Sequence, residues 1–593
     1  MNGTTHQKVG KLRPSQVVTQ HGPGAVVDLP DLSVIVAGTD HWFVRPDDRV
    51  PEPRLERFLR VSGLYRPPQP APAAFGGVPG YVFPGWLVCP HARCRLLAPV
   101  GEFQRVARWG SIEYRCARQD KHPGTRQPQA FPARFMVACP RGHLDDFPWW
   151  EWVHGADAGP CRGPLELRDL GQTGGPGDLL VVCTSCDQKK SLALAFDRQR
   201  ATLVCSGRRP WLGPVDHELC AEQPRTLLRG ASNAYFPIVA SALSIPPWSD
   251  PVHTDINPYR EALAQVDTIE KLEAGIEQGF YDVGDLLDRY TVEQIWSALH
   301  PEPETDRGLK RDEWASFLHP ERPSDPRAEF EVSRRQVPPR FIEEIADVVA
   351  ATRLREVRAL RAFTRIDSGM DLGERDFEDL EIKPAWVGTS EVPWLPGIDL
   401  RGEGIFVRLD EPTLRQWEQV PAVVAEGAVR KVAHQDWLAL RDRQPQPFPG
   451  MRFVLLHTLS HILIRQLALD CGYSASALRE RIYCDVGDDD PMAGLLIYTA
   501  TSDSEGSLGG LVDQARPDRL GALLLDGLRA CSFCASDPLC SSGDVGGAAH
   551  LNGAACHACL LLAETSCENG NHLLDRSVLT ATAGRDDLAF FSV

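Results

Sequence analysis

Apolar positions along this chain come as short runs broken by Gly and Pro, relieved by two stretches of helical periodicity. Residues 1–88 read as strands and turns: Ala25–Leu29 and Leu32–Ala37 are rich in β-forming residues, and Gly22-Pro23-Gly24 and Pro67-Pro68 punctuate them. Residues 89–250 are loop-rich, with Leu179–Val182 and Ala201–Val204 as expected strands and an apolar stretch at Leu227–Ile245. From 251 to 367 the period lengthens, and Tyr259–Phe280, Val292–Leu299 and Arg340–Ala362 are expected helices between proline clusters. Residues 368–450 form a mixed connector. In 451–593, Phe453–Leu469 reads as one strong helix, Leu495–Ala500 as a buried strand and Leu520–Ala530 as a further helix.

Cysteine usage changes the picture. The first residues, MNGTTHQKVGKLRPSQ, lack the apolar core of a secretion signal, and no run approaches the ~20 apolar residues that span a bilayer. A cytoplasmic location with reduced thiols is therefore expected, and the clustering of the 17 cysteines points to zinc rather than to disulfides. The most regular group is Cys183-Thr-Ser-Cys186 with Cys205 and Cys220, in the manner of a zinc ribbon. An earlier group holds Cys89, Cys94 and Cys116, with His122, Cys139 or His143 open as the fourth ligand. A last group offers Cys531, Cys534, Cys540, Cys556, Cys559 and Cys567, more thiols than one ion needs; Cys534 or Cys540 with Cys556, Cys559 and Cys567 is the expected set. Four protein ligands leave no open position for water, so these zinc sites are expected to be structural. The resulting fold class is α+β and multidomain: zinc-ribbon-like N-terminal modules, a central helical region and a C-terminal α/β zinc-binding domain.

The formal net charge of -17, from 63 basic and 80 acidic residues, opposes binding of a polyanion by the chain as a whole. Nucleic-acid contact must be local, and Cys89–Leu144 carries ten Arg/Lys against Glu102, Glu113 and Asp120. A second basic feature is Arg355, Arg358, Arg361 and Arg365, which a continuous helix would present as one stripe toward DNA phosphates, or toward the acidic surface of this same chain. Catalytic motifs are missing. No Gly-x-x-x-x-Gly-Lys-Ser/Thr loop occurs, so any motor belongs to a partner, and Gly22-Pro23-Gly24 reads as a turn. The pair His457 and His461 shares one helix face, and with Asp485 or Asp488 it offers the alternative of a metal-dependent nuclease; a purely structural scaffold is the third reading.

The run Cys556-His-Ala-Cys559 followed by Cys567, Asn571 and Leu574-Asp575 resembles the zinc-binding domain of MrfA-type repair helicases. The wider chain resembles the DrmB family of the DISARM anti-phage system. Ser15-Gln16, Cys139-Pro-Arg-Gly-His-Leu-Asp-Asp-Phe-Pro-Trp149, Arg229-Gly-Ala-Ser-Asn233, Arg353-Leu-Arg-Glu-Val357 and the segment from Tyr498 to Gly510 carry that resemblance. It implies a non-catalytic accessory subunit of a superfamily-two helicase, with a DrmA-like partner supplying the motor and the complex binding DNA. Relatives pair their cysteines as Cys-x-x-Cys where this chain has Cys89, Cys94 and a solitary Cys116.

Overall fold

A computed structural model describes residues 12–69, 77–108, 111–122, 127–155, 161–171, 175–197, 200–201, 203–213, 216–246, 251–263, 266–281, 283–300, 308–320, 327–367, 384–389, 393–441, 445–487, 490–499, 510–542, 551–563 and 565–592. Asp488 and most of the segment from Tyr498 to Gly510 lie outside them. The architecture is a mixed α/β arrangement of several packed units, as the sequence predicts in outline. Among the described residues no helix is long and apolar enough to cross a membrane.

The centre is an eight-stranded sheet in which Phe236–Leu243, Ile345–Thr364, Trp394–Leu409, Met492–Thr499 and Leu478–Asp485 lie side by side, all antiparallel. Glu331–Arg335 and Ala385–Trp386 extend it along Ile345–Thr364, and Gly63–Tyr65 pairs in parallel with Trp394–Leu409. Alternation at period two builds two cores from the same strands. Ile405, Val407, Leu409, Leu495 and Ile497 face the helix Met451–Cys471, which also packs on the helix Pro517–Cys531. Phe406, Leu496 and Tyr498 face the other way, onto Trp314 and Phe317 of the helix Leu309–Leu318. Met451–Cys471 is apolar almost all round because it is enclosed almost all round; Gly450 and Gly472, both at positive φ, bound it.

Three expectations fail here. The first is one helix over Tyr259–Phe280, where Arg260–Leu263 and Ile269–Glu277 are separate helices and residues 266–268 are non-helical before the second. Arg340–Ala362 is not helical: the chain runs extended over the 20 residues Ile345–Thr364. Its Ile345, Val348, Val349, Thr352 and Val357 are β-branched, and burial on both faces removes the simple alternation that marks a half-exposed strand. Ala201–Val204 forms no strand among its described residues. The sheet also crosses the expected boundaries, drawing strands from before residue 250, from 331–364, from 394–409 and from 478–499.

The N-terminal half is a set of small sheets. Lys189–Ser191, Leu179–Cys183, Leu165–Asp169, Leu96–Pro99, Trp86–Val88 and Phe131–Pro132 make six strands in that order. Leu144–Asp146, Phe135–Ala138 and Arg225–Leu228 make three more, and Phe103–Arg108 with Ser111–Cys116 is a separate hairpin. The core between that hairpin and the six-stranded sheet is little more than Leu87, Leu96, Ala98, Phe103 and Ala130 around three cysteines. So thin an interior gains little from burial, which is the situation where metal cross-links are used.

The helical part joins the sheet through a buried ion pair. Glu313 and Arg481 are both fully buried; Arg481 Nη2 donates to Glu313 Oε1 at 2.9 Å, which also accepts from the backbone N–H of Leu243, while the Tyr483 hydroxyl donates to Oε2 at 3.0 Å. Arg481→Met is expected to strand the Glu313 charge and lower unfolding free energy by about 3–5 kcal/mol, measured by denaturant titration of the tertiary signal.

Candidate metal centres

Thirteen cysteine sulfurs and three imidazoles gather into four clusters, in each of which the ligand atoms lie within 4.8 Å of one another. In the first, Cys89 leaves the strand Trp86–Val88, Cys94 lies in the turn before Leu96–Pro99, Cys116 ends the hairpin, and His122 supplies the open fourth place. Cys89 Sγ is 3.4 Å from His122 Nε2, and Cys94 Sγ is 3.8 Å from Cys116 Sγ. Arg95, directly after Cys94, is at positive φ.

Cys139 and His143 bracket a hairpin turn whose Gly142 sits at φ +82°, and they meet Cys205 and Cys220 in a second cluster. Here His143 Nδ1 lies 3.3 Å from Cys139 Sγ and 3.6 Å from Cys205 Sγ, while His143 Nε2 bonds the Glu218 carboxylate at 2.9 Å. That carboxylate fixes the tautomer and leaves the Nδ1 lone pair toward the sulfurs, the outer-sphere arrangement of metal-bound histidine. The hydrogen bond from Cys139 holds Cys205 down at about 4, the thiolate form a metal takes.

The third cluster corrects the zinc-ribbon reading. Cys183 and Cys186 are joined by Cys161 and His154, whereas Cys205 and Cys220 belong to the second cluster. His154 ends the helix Trp149–His154 and bonds the Trp150 carbonyl through Nδ1 at 2.8 Å, which turns Nε2 to within 3.3 Å of Cys186 Sγ. Burial opposes ionisation of Cys183, yet the backbone N–H groups of Ser185 and Cys186 draw it down to about 7. Sequence reasoning missed Cys161 and His154. Both lie more than twenty residues before the Cys-x-x-Cys pair, and the only available signal was an unassigned cysteine shortly after a histidine-terminated helix.

The fourth cluster, Cys534, Cys540, Cys556 and Cys559, takes both of the alternatives left open and releases Cys567. Cys534 Sγ lies 3.6 Å from Cys556 Sγ, and Cys540 Sγ lies 3.7 Å from Cys559 Sγ. Against burial, the Ala558 backbone N–H and Cys534 pull Cys556 down to about 6. Asp537 ties the first arm, accepting from the Cys534 and Ser541 backbone N–H groups and from Arg576. Cys531 stands apart, buried and pushed up to about 12.

These separations exclude disulfides and match the spacing a shared metal ion requires. A tetrahedral ion with bonds of about 2.3 Å sets its sulfurs roughly 3.8 Å apart, against about 2.05 Å in a disulfide. The Sγ pairs here span 3.6 to 3.9 Å. Zinc held by these residues would cross-link strand ends and turns, with no vacant coordination position for chemistry.

His457 and His461 do share a face of their helix, but what converges on them is Glu480 and Cys567. Both rings are fully buried, and Asp485 is instead paired with Arg311. The arginine stripe does not form. In an extended strand residues three apart point to opposite faces, and Arg355 is buried against Glu329, Asp399 and Ser244. Arg358 bonds Glu356 at 2.9 Å. Arg365, also buried, donates to the carbonyls of Gly142, Ala234 and Gly24. Arg361 sits on the same strand and has an interaction of its own.

Residues 459–560 match the MrfA Zn-binding domain, which makes the C-terminal part a zinc-binding domain of that class. Residues 13–236 match a family described as a domain of unknown function, DUF8724. Over 584 residues the chain is 32% identical to the DISARM protein DrmB of Bacillus paralicheniformis, a match covering 94% of this chain and 98% of that one. The chain belongs to the DISARM DrmB family. Among solved structures, the DNA-bound crystal structure of the DUF1998 helicase MrfA aligns over 37% of this chain and 22% of its own at 10% identity; its TM-score of 0.18 carries no structural argument.

The corrected ligand sets make a direct test. His154→Ala, at a position no cysteine spacing marks, should lower zinc content by one ion per chain in plasma emission analysis, whereas Cys531→Ala should leave it unchanged.

Proposed function

We propose that this chain is a zinc-stapled accessory subunit of a superfamily-two DNA helicase in DISARM-type anti-phage defence, with a DrmA-like partner supplying the motor and the complex binding DNA. The observation that carries this reading is its relation to the DISARM protein DrmB over nearly the whole length of both chains. The absence of a phosphate-binding loop from the sequence accords with a motor in trans. The four thiolate-rich clusters hold structural zinc, each replacing the interior that a small module cannot build for itself.

DNA binding falls to the basic segment around the first cluster rather than to the arginines of the central strand. Arg93, Arg105 and Lys121 are exposed beside Cys94, on the hairpin and before His122. Phosphate pairing by such side chains gives affinity without base specificity and weakens with salt. The nuclease alternative fits the geometry less well: water has no access to His457 and His461, and Asp485 is held by Arg311.

Co-expression with the DrmA-like helicase should yield a complex whose DNA affinity exceeds that of either chain alone in a salt titration. Reversing Arg93, Arg105 and Lys121 to Glu should weaken that affinity and flatten its salt dependence by about one unit of slope for each phosphate left unpaired. Unchanged affinity and slope would leave only the scaffold reading.

A further inference from the structure

The match to the MrfA Zn-binding domain ends at residue 560 and contains all four cysteines of the fourth cluster. A second group in the same part of the chain is left over: His457 and His461 from one helix, Glu480 from the neighbouring strand Leu478–Asp485, and Cys567 from the tail. Two of the four, His457 and Cys567, lie outside the matched residues. The two imidazoles are 0% exposed, Glu480 1% and Cys567 5%.

With neutral imidazoles, hydrogen bonds alone do not satisfy this group. His461 Nδ1 lies 2.9 Å from the Leu560 carbonyl oxygen, which accepts the ring proton there. Its Nε2 then presents a lone pair to the interior, has no hydrogen-bond partner among the described residues, and faces Glu480 Oε2 at 3.7 Å. With the ring neutral, a lone pair turned on a carboxylate oxygen is repulsive unless a cation lies between them. His457 Nε2 is 3.2 Å from Cys567 Sγ and 3.1 Å from Glu480 Oε1, two acceptors for at most one proton. Cys567 Sγ meanwhile accepts the backbone N–H groups of Asn569 and Asn571, at 3.3 and 3.2 Å, a cradle suited to a thiolate. The Ser460 hydroxyl and the Glu568 backbone N–H orient Glu480 from behind.

We infer that His457, His461, Glu480 and Cys567 bind a fifth zinc ion, in a closed structural site separate from the four thiolate-rich clusters. Two imidazoles, one thiolate and one carboxylate are a tetrahedral zinc donor set. The two anionic ligands cancel the charge of the ion, so the assembly enters the core without net charge. The roughly 3.3–3.6 Å ligand-to-ligand separations of such a tetrahedron fall between the 3.1 and 3.7 Å observed. With its outer nitrogen on the Leu560 carbonyl, His461 also connects this site to the residue after Cys559, so the fifth ion and the fourth cluster brace the same turn. The site stands on these side chains alone and does not depend on the helicase-subunit reading.

The test is an anomalous-difference map of the full chain at the zinc edge, which separates the clusters by position, so failure of a thiolate-rich site cannot be mistaken for failure of this one. A peak among His457, His461, Glu480 and Cys567 is expected; its absence, with zinc present at the fourth cluster, overturns the assignment. In solution, Glu480→Gln and Cys567→Ser should each lose one zinc while the fourth cluster keeps its own. Retention of the full zinc complement by both variants overturns it equally. Where a variant unfolds, the map of the unsubstituted chain decides.

Discussion

The central sheet is arranged around one strand that is paired along most of both edges. Ile345–Thr364 is buried on both faces, and an interior strand must satisfy its backbone N–H and C=O groups along both sides. One side is covered from Val348 to Thr364 by Glu331–Arg335 and Phe236–Leu243, the other by Trp394–Leu409 and Ala385–Trp386. Four segments from distant parts of the chain are thereby fixed at once. Its charged positions serve the same end: Arg355 holds Asp399 and Glu329, and Asp399, which burial alone would push up, is kept at about 2 by Arg355, Arg66 and Arg401.

The end of that strand reaches into the N-terminal half. Arg365 directs its guanidinium to three carbonyls, one in the Cys139–His143 turn, one in the turn at Gly24 and one at Ala234. Gly24, at φ +86°, lies so near Phe363 that a Cβ there would run into the ring. The Gly-Pro-Gly turn is therefore a packing device, admitting Phe363 where any side chain would collide. The second metal cluster is in this way referenced to the central sheet rather than floating on a loop.

Cysteine clusters gather the periphery as the sheet gathers the centre. The hairpin Phe103–Arg108 with Ser111–Cys116 has almost no apolar interior, and its Cys116 is what fastens it to the strands bearing Cys89 and Cys94. At the C-terminus the tail from Leu551 onward has little regular structure and is held by the fourth cluster, by Asn571 on the Leu562 backbone and by Asp575 on Arg430. Such segments bury too little surface to offset their conformational entropy, and a few strong bonds of fixed geometry replace many weak ones.

What the sequence by itself determined was local: the cysteine-rich class of the protein, the helix around His457 and His461, the helix before Cys531 and the Cys-x-x-Cys turns, because each depends on residues a few positions apart. Its mixed α/β, multidomain character was legible in outline as well. Tertiary structure alone decided which cysteine gathers with which, since Cys205 and Cys220 follow Cys186 in the chain yet lie beside Cys139 and His143, and Cys567 follows Cys559 yet lies beside His457. It also decided that the chain over Ile345–Thr364 is extended. A spacing of three between arginines fits a helix as a pattern, but a strand with neighbours on both faces and both edges is stabilised by partners as distant along the chain as Phe236 is from Thr364, and no local periodicity records them.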